Sequence, residues 1–504
     1  MANSKFTLLL LLWCSSTLSI SLGYDSSMMS GLNILPSYTD YFELNTVTLA
    51  LQSSISWAGC AAAGLGYGKL TDWIGRKKAM WISAIITLIG VILQAASQNI
   101  AMFVVARFIV GVGNGATFLC GPIYLAEILP LKWRGVGLAI FMDFFYVGGL
   151  LSSGITYGTS KISTTWAWRL PSILQALFMV LAVIVLPWVP ESPRWLVYQD
   201  RHAEALNVIA VTQADGNLED PVVLLTYQEI TDTLQTEVES GQKTGYLELV
   251  KSKRSMTRLM LALSVAVISM ASGNNIITFY LGAMLDNAGI TDTTTQLEIN
   301  IILNAWCLVV AIVGTSMLDT IGRRPLAIYS SVLMTVFIFM VGALTKVYGD
   351  AENISGVYGT VACIFLFQGA YSLGWTPLAM LYPPEVLNYS IRSVGMGAYT
   401  FLTNGVGVLV TMAFPIALDV IGWKTYMING AWDVLQVVFI IIFWVETKGK
   451  TLEEIDEIFD GPGAANAIHV QDVIEGRDPG LILKGQDIVV TKDGAKSAPV
   501  VEEV

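Results

Sequence analysis

Two ionisable residues, Asp25 and Arg107, stand inside long apolar runs of this sequence. A charge inside the hydrocarbon layer of a membrane costs several kcal/mol, so such a residue is functional by default. Asp25 lies near the end of the first run and Arg107 near the start of the fourth, so we expect them to share a depth and to pair. A carboxylate beside an Arg keeps its charge, whereas one parted from it binds a proton more readily. The two residues therefore predict a proton-binding switch. In the alternative, Arg107 extends to the membrane surface and Asp25 is merely interfacial.

Two further carboxylates, Asp143 and Asp433, lie in later apolar runs. Each is able to contact a substrate or to hydrogen-bond within a helix bundle. The sequence favours the structural role for both.

A second set of charged residues occurs twice, in the same order. Each copy is an Asp-x-x-Gly-Arg-basic loop followed by a Glu at a helix end and by an Arg seven residues later. Paired charges of this kind can hold helix ends together in one state and part in another, which predicts a gate. The alternative is ordinary charge flanking the membrane. The first copy is Asp72, Arg76, Glu127 and Arg134, and the second is Asp319, Arg323, Glu385 and Arg392.

Twelve apolar segments position these residues and predict an all-α membrane protein. They fall into two sets of six with matching landmarks, which predicts two pseudo-symmetric six-helix bundles. The segments are 6–33, 46–67, 79–97, 101–121, 136–157, 170–189, 259–285, 299–318, 326–345, 355–382, 394–418 and 425–445.

The composition supports this assignment. Of 504 residues, 54% are hydrophobic and 13% are charged, whereas about a quarter of an average soluble protein is charged. A soluble enzyme and a disordered chain are therefore excluded. The net charge of −11 argues against nucleic acid as a partner. It arises in residues 190–258, with 11 acidic and 7 basic side chains, and in residues 452–504, with 12 and 4.

The basic residues set the expected orientation. With the N-terminus inside, 23 of the 28 Lys and Arg residues fall on the inner side. Both termini and the central loop are thus predicted to be cytoplasmic. The predicted domains are an N-terminal bundle (1–189), a helical insert (190–258), a C-terminal bundle (259–446) and a tail (447–504). Asn353 begins a glycosylation sequon in a short outer loop.

No cofactor or metal is expected. The five cysteines stand singly in apolar runs, and the two histidines lie far apart without zinc-ligand spacing. No nucleophile–base constellation predicts an enzyme.

Several motifs resemble those of the major facilitator superfamily. Gly68–Lys77 is similar to its loop signature, and Pro190–Leu196 and Glu446–Gly449 are similar to signatures of its sugar-porter branch. Gly23–Ser27 and Gly374–Pro377 are similar to fungal hexose and lactose permease-like members. The resemblance covers about residues 6–460 and implies a twelve-helix transporter. It assigns Asp25 and Arg107 to proton coupling and adds Glu191, Arg194 and Glu446 to the charged gate.

The resemblance also implies a substrate site between the bundles. At three positions where the family has polar side chains, this chain has Met142, Met270 and Cys307. The site is therefore expected to be less hydrophilic than a hexose site, with thioether surface replacing part of the amide set. The remaining expected members are Asn274, Asn275, Asn300, Asn304, Trp375 and Asn404.

Together these features predict a proton-coupled sugar symporter of the plasma membrane. Its expected partners are a small sugar or metabolite, protons and the lipid bilayer, and it is expected to act as a monomer. The main alternative is a carrier of a less polar metabolite or glycoside, in either direction. A nutrient sensor that does not transport is a further alternative.

Overall fold

The computed structural model of the chain is almost entirely helical. It describes residues 4–239, 252–349, 354–387, 389–448, 455, 458–459, 481–484 and 487–490. Helices dominate because a segment in the hydrocarbon layer must satisfy all its backbone hydrogen bonds internally.

The first half of the chain forms six long helices and is followed by an insert of three shorter ones. The helices of the first half are α1 (Ser4–Ile34), α2 (Pro36–Thr39), α3 (Thr46–Ile74), α4 (Arg76–Ala95), α5 (Ile100–Ile128), α6 (Leu131–Ser160) and α7 (Trp166–Val185), with a 3₁₀ turn at Leu186–Trp188. The insert helices are α8 (Pro193–Tyr198), α9 (His202–Gln213) and α10 (Pro221–Glu239).

The second half repeats the pattern of long helices. They are α11 (Lys253–Ala271), α12 (Asn274–Asn287), α13 (Thr293–Ile321), α14 (Arg323–Tyr348), α15 (Ile354–Val386), α16 (Tyr389–Ile421) and α17 (Lys424–Phe443). In the tail, strands β1 (Leu481–Lys484) and β2 (Asp487–Val490) pair antiparallel, with Leu481 opposite Val490.

The seventh predicted segment, 259–285, is two helices rather than one. Gly273 separates α11 from α12 in the left-handed region, with φ of +87°. A residue with a Cβ adopts this backbone at a cost, so glycine permits the break. With α11 and α12 as one crossing, the described residues form the predicted twelve crossings in two sets of six.

Among the described residues, ten of these crossings are both long enough and apolar enough to span a membrane. The other two, α3 and α6, are equally long but are not among the ten. They also link the halves, since α3 packs on α16 and α6 packs on α13. A helix that faces the other half needs less apolar surface than one that faces lipid.

One face of the molecule carries the insert, and we call it the insert face. The helix α1 begins there, since the backbone N–H of Ser4 donates to Asp215 of the insert at 2.9 Å and its hydroxyl donates to the carbonyl of Thr212 at 2.9 Å. The crossings alternate in direction, so the α3–α4 and α13–α14 turns and the end of α17 lie at this face as well. We call the other side the opposite face.

Within the first half, α1 and α6 approach until their backbones touch. A Cβ on Gly23 would lie 1.7 Å from the carbonyl oxygen of Phe145, and one on Gly148 would lie 2.0 Å from that of Ile20. Small residues permit such close helix contacts in membranes. This contact fixes the position of Asp25, two residues beyond Gly23.

We predict that Gly23→Ala destabilises the protein by about 1–3 kcal/mol, because its methyl group forces α1 and α6 apart. The matched control is Gly154→Ala in the partner helix α6, where a Cβ would meet nothing within 4 Å. Thermal unfolding of the purified variants in detergent measures the difference. An equal melting temperature for Gly23→Ala and the control would contradict the close packing.

Candidate functional site: a buried carboxylate centre and two charged clusters

The carboxylate of Asp25 is the centre of a buried polar network in the first half. Arg107 of α5 forms a salt bridge to its Oδ1 through Nη1, and both side chains are almost fully buried. The structure thus brings into contact the two residues that the sequence analysis expects to lie at one depth and to pair. Such a pair keeps both charges stable inside an apolar bundle, where either alone would be costly.

Two more side chains donate to Asp25, and the sequence analysis missed both. Gln175 of α7 donates from Nε2 to Oδ1 at 2.8 Å, and Asn114 of α5 donates from Nδ2 to Oδ2 at 3.0 Å. The only sequence signal was the spacing of seven residues between Arg107 and Asn114, which places them on one helix face. With three donors, both oxygens of the carboxylate accept hydrogen bonds from side chains of the first half.

The guanidinium of Arg107 has N–H donors that the salt bridge to Asp25 does not use. Its Nε and Nη2 atoms are buried and have no hydrogen-bond partner among the described residues. A buried donor without a partner is costly, so these two atoms depart from the usual pairing of buried donors.

The break at Gly273 organises the amides of the second half. Asn275 donates from Nδ2 to the carbonyl of Met270 at 2.9 Å, and so satisfies an acceptor near the break. Asn274 accepts at Oδ1 from Nε2 of Gln368 in α15 at 2.7 Å. Asn274 and Asn275 are both buried, so their amides serve the bundle itself in this conformation.

Asn304 lies where α13 of the second half meets α6 of the first. Its Nδ2 donates to Oγ of Ser153 at 2.9 Å and to Oδ1 of Asn300 at 3.1 Å. Asn300 is buried, and its Nδ2 has no partner among the described residues. Cys307, on the same helix face, is buried as well. These three predicted site residues thus lie in or beside the contact between the halves.

A third contact between the halves is centred on Tyr146, which the sequence analysis did not select. Its hydroxyl is 2.9 Å from Oγ of Ser372 and 2.9 Å from Oγ1 of Thr376, both on α15. Nearer the insert face, the hydroxyl of Thr315 donates to Asp143 at 3.4 Å. The helix α6 therefore carries polar groups toward the second half at several depths.

Trp375 does not lie where the sequence analysis expects it. Its side chain is fully buried inside the second half, where its indole N–H donates to Ser331 at 3.1 Å and its ring lies 5.8 Å from that of Trp444. The reason is helical phase: Ser372 and Thr376 share the face toward α6, and Trp375 is turned about 100° away from Thr376.

The other two predicted site residues have local contacts. Met142 is half-buried and packs against the apolar core of the first half. Asn404 is buried, and its Nδ2 donates to the carbonyl of Thr400 one turn earlier at 2.7 Å.

At the insert face, Arg76 and Glu191 organise the charged cluster of the first half. Arg76 grips Glu127 with two hydrogen bonds of 2.9 and 3.0 Å and lies 3.2 Å from Asp72. Glu191 accepts backbone N–H groups of Arg76, Lys77 and Ser192 at 2.9–3.2 Å. It therefore caps α4, where a negative charge also suits the helix dipole. Burial raises the pKa of Glu191, and these backbone donors act in the opposite direction.

The second half repeats this cluster with the matching residues. Arg323 grips Glu385 at 3.0 and 3.3 Å. Glu446 caps α14 by accepting the backbone N–H groups of Arg323 and Arg324 at 2.9 and 3.0 Å. The hydroxyl of Thr447 donates to Glu385 at 2.6 Å, as that of Ser192 donates to Glu127 at 2.5 Å.

The turns before α4 and α14 explain why this motif needs glycine. Gly75 and Gly322 have φ of +96° and +104°, and a Cβ on either would lie within 3 Å of the capping glutamate. Each described cluster ties helices within one half rather than across the two halves.

Four predicted residues cannot be placed in this scheme. The side chains of Arg134, Asp319 and Arg392 and the whole of Asn353 lie outside the described residues. Arg194 is described and has an interaction partner.

We predict that Glu127→Gln and Glu385→Gln each destabilise the protein by roughly 1–3 kcal/mol, because each removes the carboxylate to which a mostly buried Arg donates two hydrogen bonds. The two losses should add, since the clusters lie in separate halves. Chemical or thermal unfolding of the single and double variants measures both quantities.

The matched control is Glu204→Gln in the insert. Its carboxylate pairs with Arg201 at the surface, where the two side chains are 58% and 47% exposed, so the change should cost no more than about 0.5 kcal/mol. If Glu127→Gln costs as little as the control, the cluster does not hold its helices together.

Comparison with known proteins agrees with this architecture. The family described as sugar (and other) transporter matches residues 11–459. The chain is 30% identical to MFS-type transporter oryC of Aspergillus oryzae, over 96% of this chain and 90% of that protein. It is also 30% identical to a high-affinity glucose transporter of Kluyveromyces lactis, over 87% and 82% of the respective chains.

Among solved structures, the fold matches the proton:xylose symporter XylE bound to 6-bromo-6-deoxy-D-glucose. The TM-score is 0.75 at 21% identity, covering 91% of this chain and 100% of the other. A partially occluded inward-open form of XylE from E. coli gives a TM-score of 0.72 at 20% identity, covering 88% and 99%. The chain therefore belongs to the sugar transporter family of the major facilitator superfamily.

Proposed function

We propose that this protein is a proton-coupled sugar symporter of the plasma membrane, acting as a monomer by alternating access. The insert face is cytoplasmic in this proposal, as the distribution of Lys and Arg requires. The observation that carries it is the buried centre of Asp25, Arg107, Asn114 and Gln175, in which an ionisable carboxylate on α1 accepts from donors on α5 and α7.

The centre suits a proton switch because the contacts of the carboxylate depend on how α1 lies against α5 and α7. In the ionised state, Arg107, Asn114 and Gln175 all donate to Asp25. A shift of α1 away from α5 would remove the salt bridge, and the carboxylate would then bind a proton. Uptake on one side and release on the other couples the proton gradient to movement of the halves.

The substrate is proposed to bind between α6 of the first half and α13 and α15 of the second. Hydroxyl and amide groups meet there, at Ser153, Asn304, Tyr146, Ser372 and Thr376. Sugar hydroxyls require both donors and acceptors, and these side chains supply both. The glucose transporter among the relatives supports a monosaccharide.

The two insert-face clusters are proposed to keep each half rigid as the halves rock. Because Arg76–Glu127 and Arg323–Glu385 each join helices of one half, they fix the cytoplasmic helix ends relative to one another. The conformational change is then a movement of one rigid half against the other. The part in the charged gate predicted for Arg134 and Arg392 stays a prediction.

We predict that Asp25→Asn abolishes gradient-driven accumulation, because an amide cannot exchange a proton at this position. Protein reconstituted in vesicles is given labelled D-glucose or D-xylose, with and without an imposed proton gradient. The variant should still equilibrate sugar across the membrane. Asp143→Asn is the matched control, since Asp143 is another carboxylate in a long helix but forms no salt bridge among the described residues. Accumulation by Asp25→Asn would contradict proton coupling through this residue.

A second candidate is a carrier of a less polar metabolite or glycoside. It is favoured by Met142 and Met270, which stand at positions where the family has polar side chains, and by the relative named only as an MFS-type transporter. A competition panel separates the two candidates. Inhibition of uptake by simple sugars favours the symporter of sugars, and inhibition by hydrophobic glycosides alone favours the second candidate.

A further inference from the structure

The middle of α17 carries a polar face that the proposed function does not use. Asn429, Asp433 and Gln436 follow one another at helical spacing, and all three are buried. Asn429 donates from Nδ2 to Oδ2 of Asp433 at 3.2 Å. Asn429 also lies against the helix break, since a Cβ on Gly273 would be 2.8 Å from its Nδ2.

Asp433 lies at the same depth as Asp25, in the other half. Asp25 stands nine residues before the end of α1, and Asp433 stands nine residues after the start of α17. Both helix ends lie at the opposite face, so each carboxyl is about 14 Å from that end of its helix. Asp433 also corresponds in position to Gln175 of the first half, because each stands nine residues after the start of its helix, α17 or α7.

Unlike Asp25, Asp433 has no cationic partner within 4 Å in the part of the chain that the structure describes. Its Oδ1 is buried without a hydrogen-bond partner there, and so is Nε2 of Gln436. Its one amide donor is Asn429. An isolated carboxylate in this setting would cost several kcal/mol, whereas a protonated carboxyl does not bear that cost.

The helices packed against α17 bring no charge to this depth. These helices are mainly α14, with lesser contacts from α16 and α11. Their charged residues stand toward the helix ends, and Lys346, for one, lies over the ring of Trp423 at the opposite face. The titratable side chain nearest along α17 is the buried tyrosine Tyr426. The charged residues of these helices are Arg323, Arg324, Lys346, Arg392, Asp419, Lys253, Arg254 and Arg258.

We propose that Asp433 is a second proton-binding site, located in the second half and occupied by a proton in this conformation. The protonated carboxyl exchanges its proton only when movement at the Gly273 break or along α17 opens it to water. The role of this site in coupling rests on the proposed symport. Its protonation rests on the contacts of Asp433 alone.

Infrared difference spectroscopy of the full-length protein in lipid nanodiscs tests the site without a transported substrate. Aspartate carrying ¹³C in its carboxyl group identifies the bands. At neutral pH the wild type should show the C=O stretch of a protonated aspartic acid, and Asp433→Asn should lose it. Asp25→Asn should keep that band and instead lose intensity from the ionised carboxylate.

A conservative variant keeps the test decisive if Asp433→Asn folds poorly. Asp433→Glu retains a carboxyl, so it should remove the labelled aspartic acid band and add a glutamic acid band beside it. If both Asp433 variants lose ionised carboxylate intensity at neutral pH, Asp433 is a charged residue and the proposal is overturned. Failure of Asp25→Asn to alter transport would count against the symport and not against this site.

Discussion

The constraint on which this structure depends is that hydrocarbon offers no partner to a buried charge. Asp25 and Arg107 satisfy it together, with Asn114 and Gln175 completing the carboxylate's contacts. The network joins α1, α5 and α7, three helices that are separated along the chain. If each of these helices packed independently of the other two, at least one of these polar groups would be left unpaired. The same interaction thus holds the first half together and supplies its chemistry.

Duplication explains why the two charged clusters at the insert face are built from the same few residue types. In each half, an Arg that follows a glycine with positive φ forms hydrogen bonds to a Glu at a helix end. A second Glu caps the helix that this Arg begins. A hydroxyl, from Ser192 or Thr447, completes each set. The interior has diverged more, because the first half concentrates its charge in an ion pair while the second relies on amides and on Asp433.

The sequence was informative where a residue type is costly in its surroundings. Long apolar runs predicted the helices, and two ionisable residues at one depth predicted a pair that the structure brings into contact. Gln175 could not be found in this way, because its partner lies 150 residues away and glutamine in an apolar run is only moderately costly. The break at Gly273 was missed because the apolar runs on its two sides together have the length of one membrane crossing. Trp375 was misplaced because a single sequence does not reveal helical phase.

Two neighbouring residues of α6 give the fold a short mechanical link. The backbone carbonyl of Phe145 touches Gly23, two residues from Asp25, while the side chain of Tyr146 reaches Ser372 and Thr376 across the interface. One peptide unit and one helix contact thus separate Tyr146 from the segment that carries the carboxylate. If binding at one end of this link alters affinity at the other, thermodynamic reciprocity makes the effect equal in both directions. A single stretch of α6 therefore contacts both the helix that carries Asp25 and the second half of the chain.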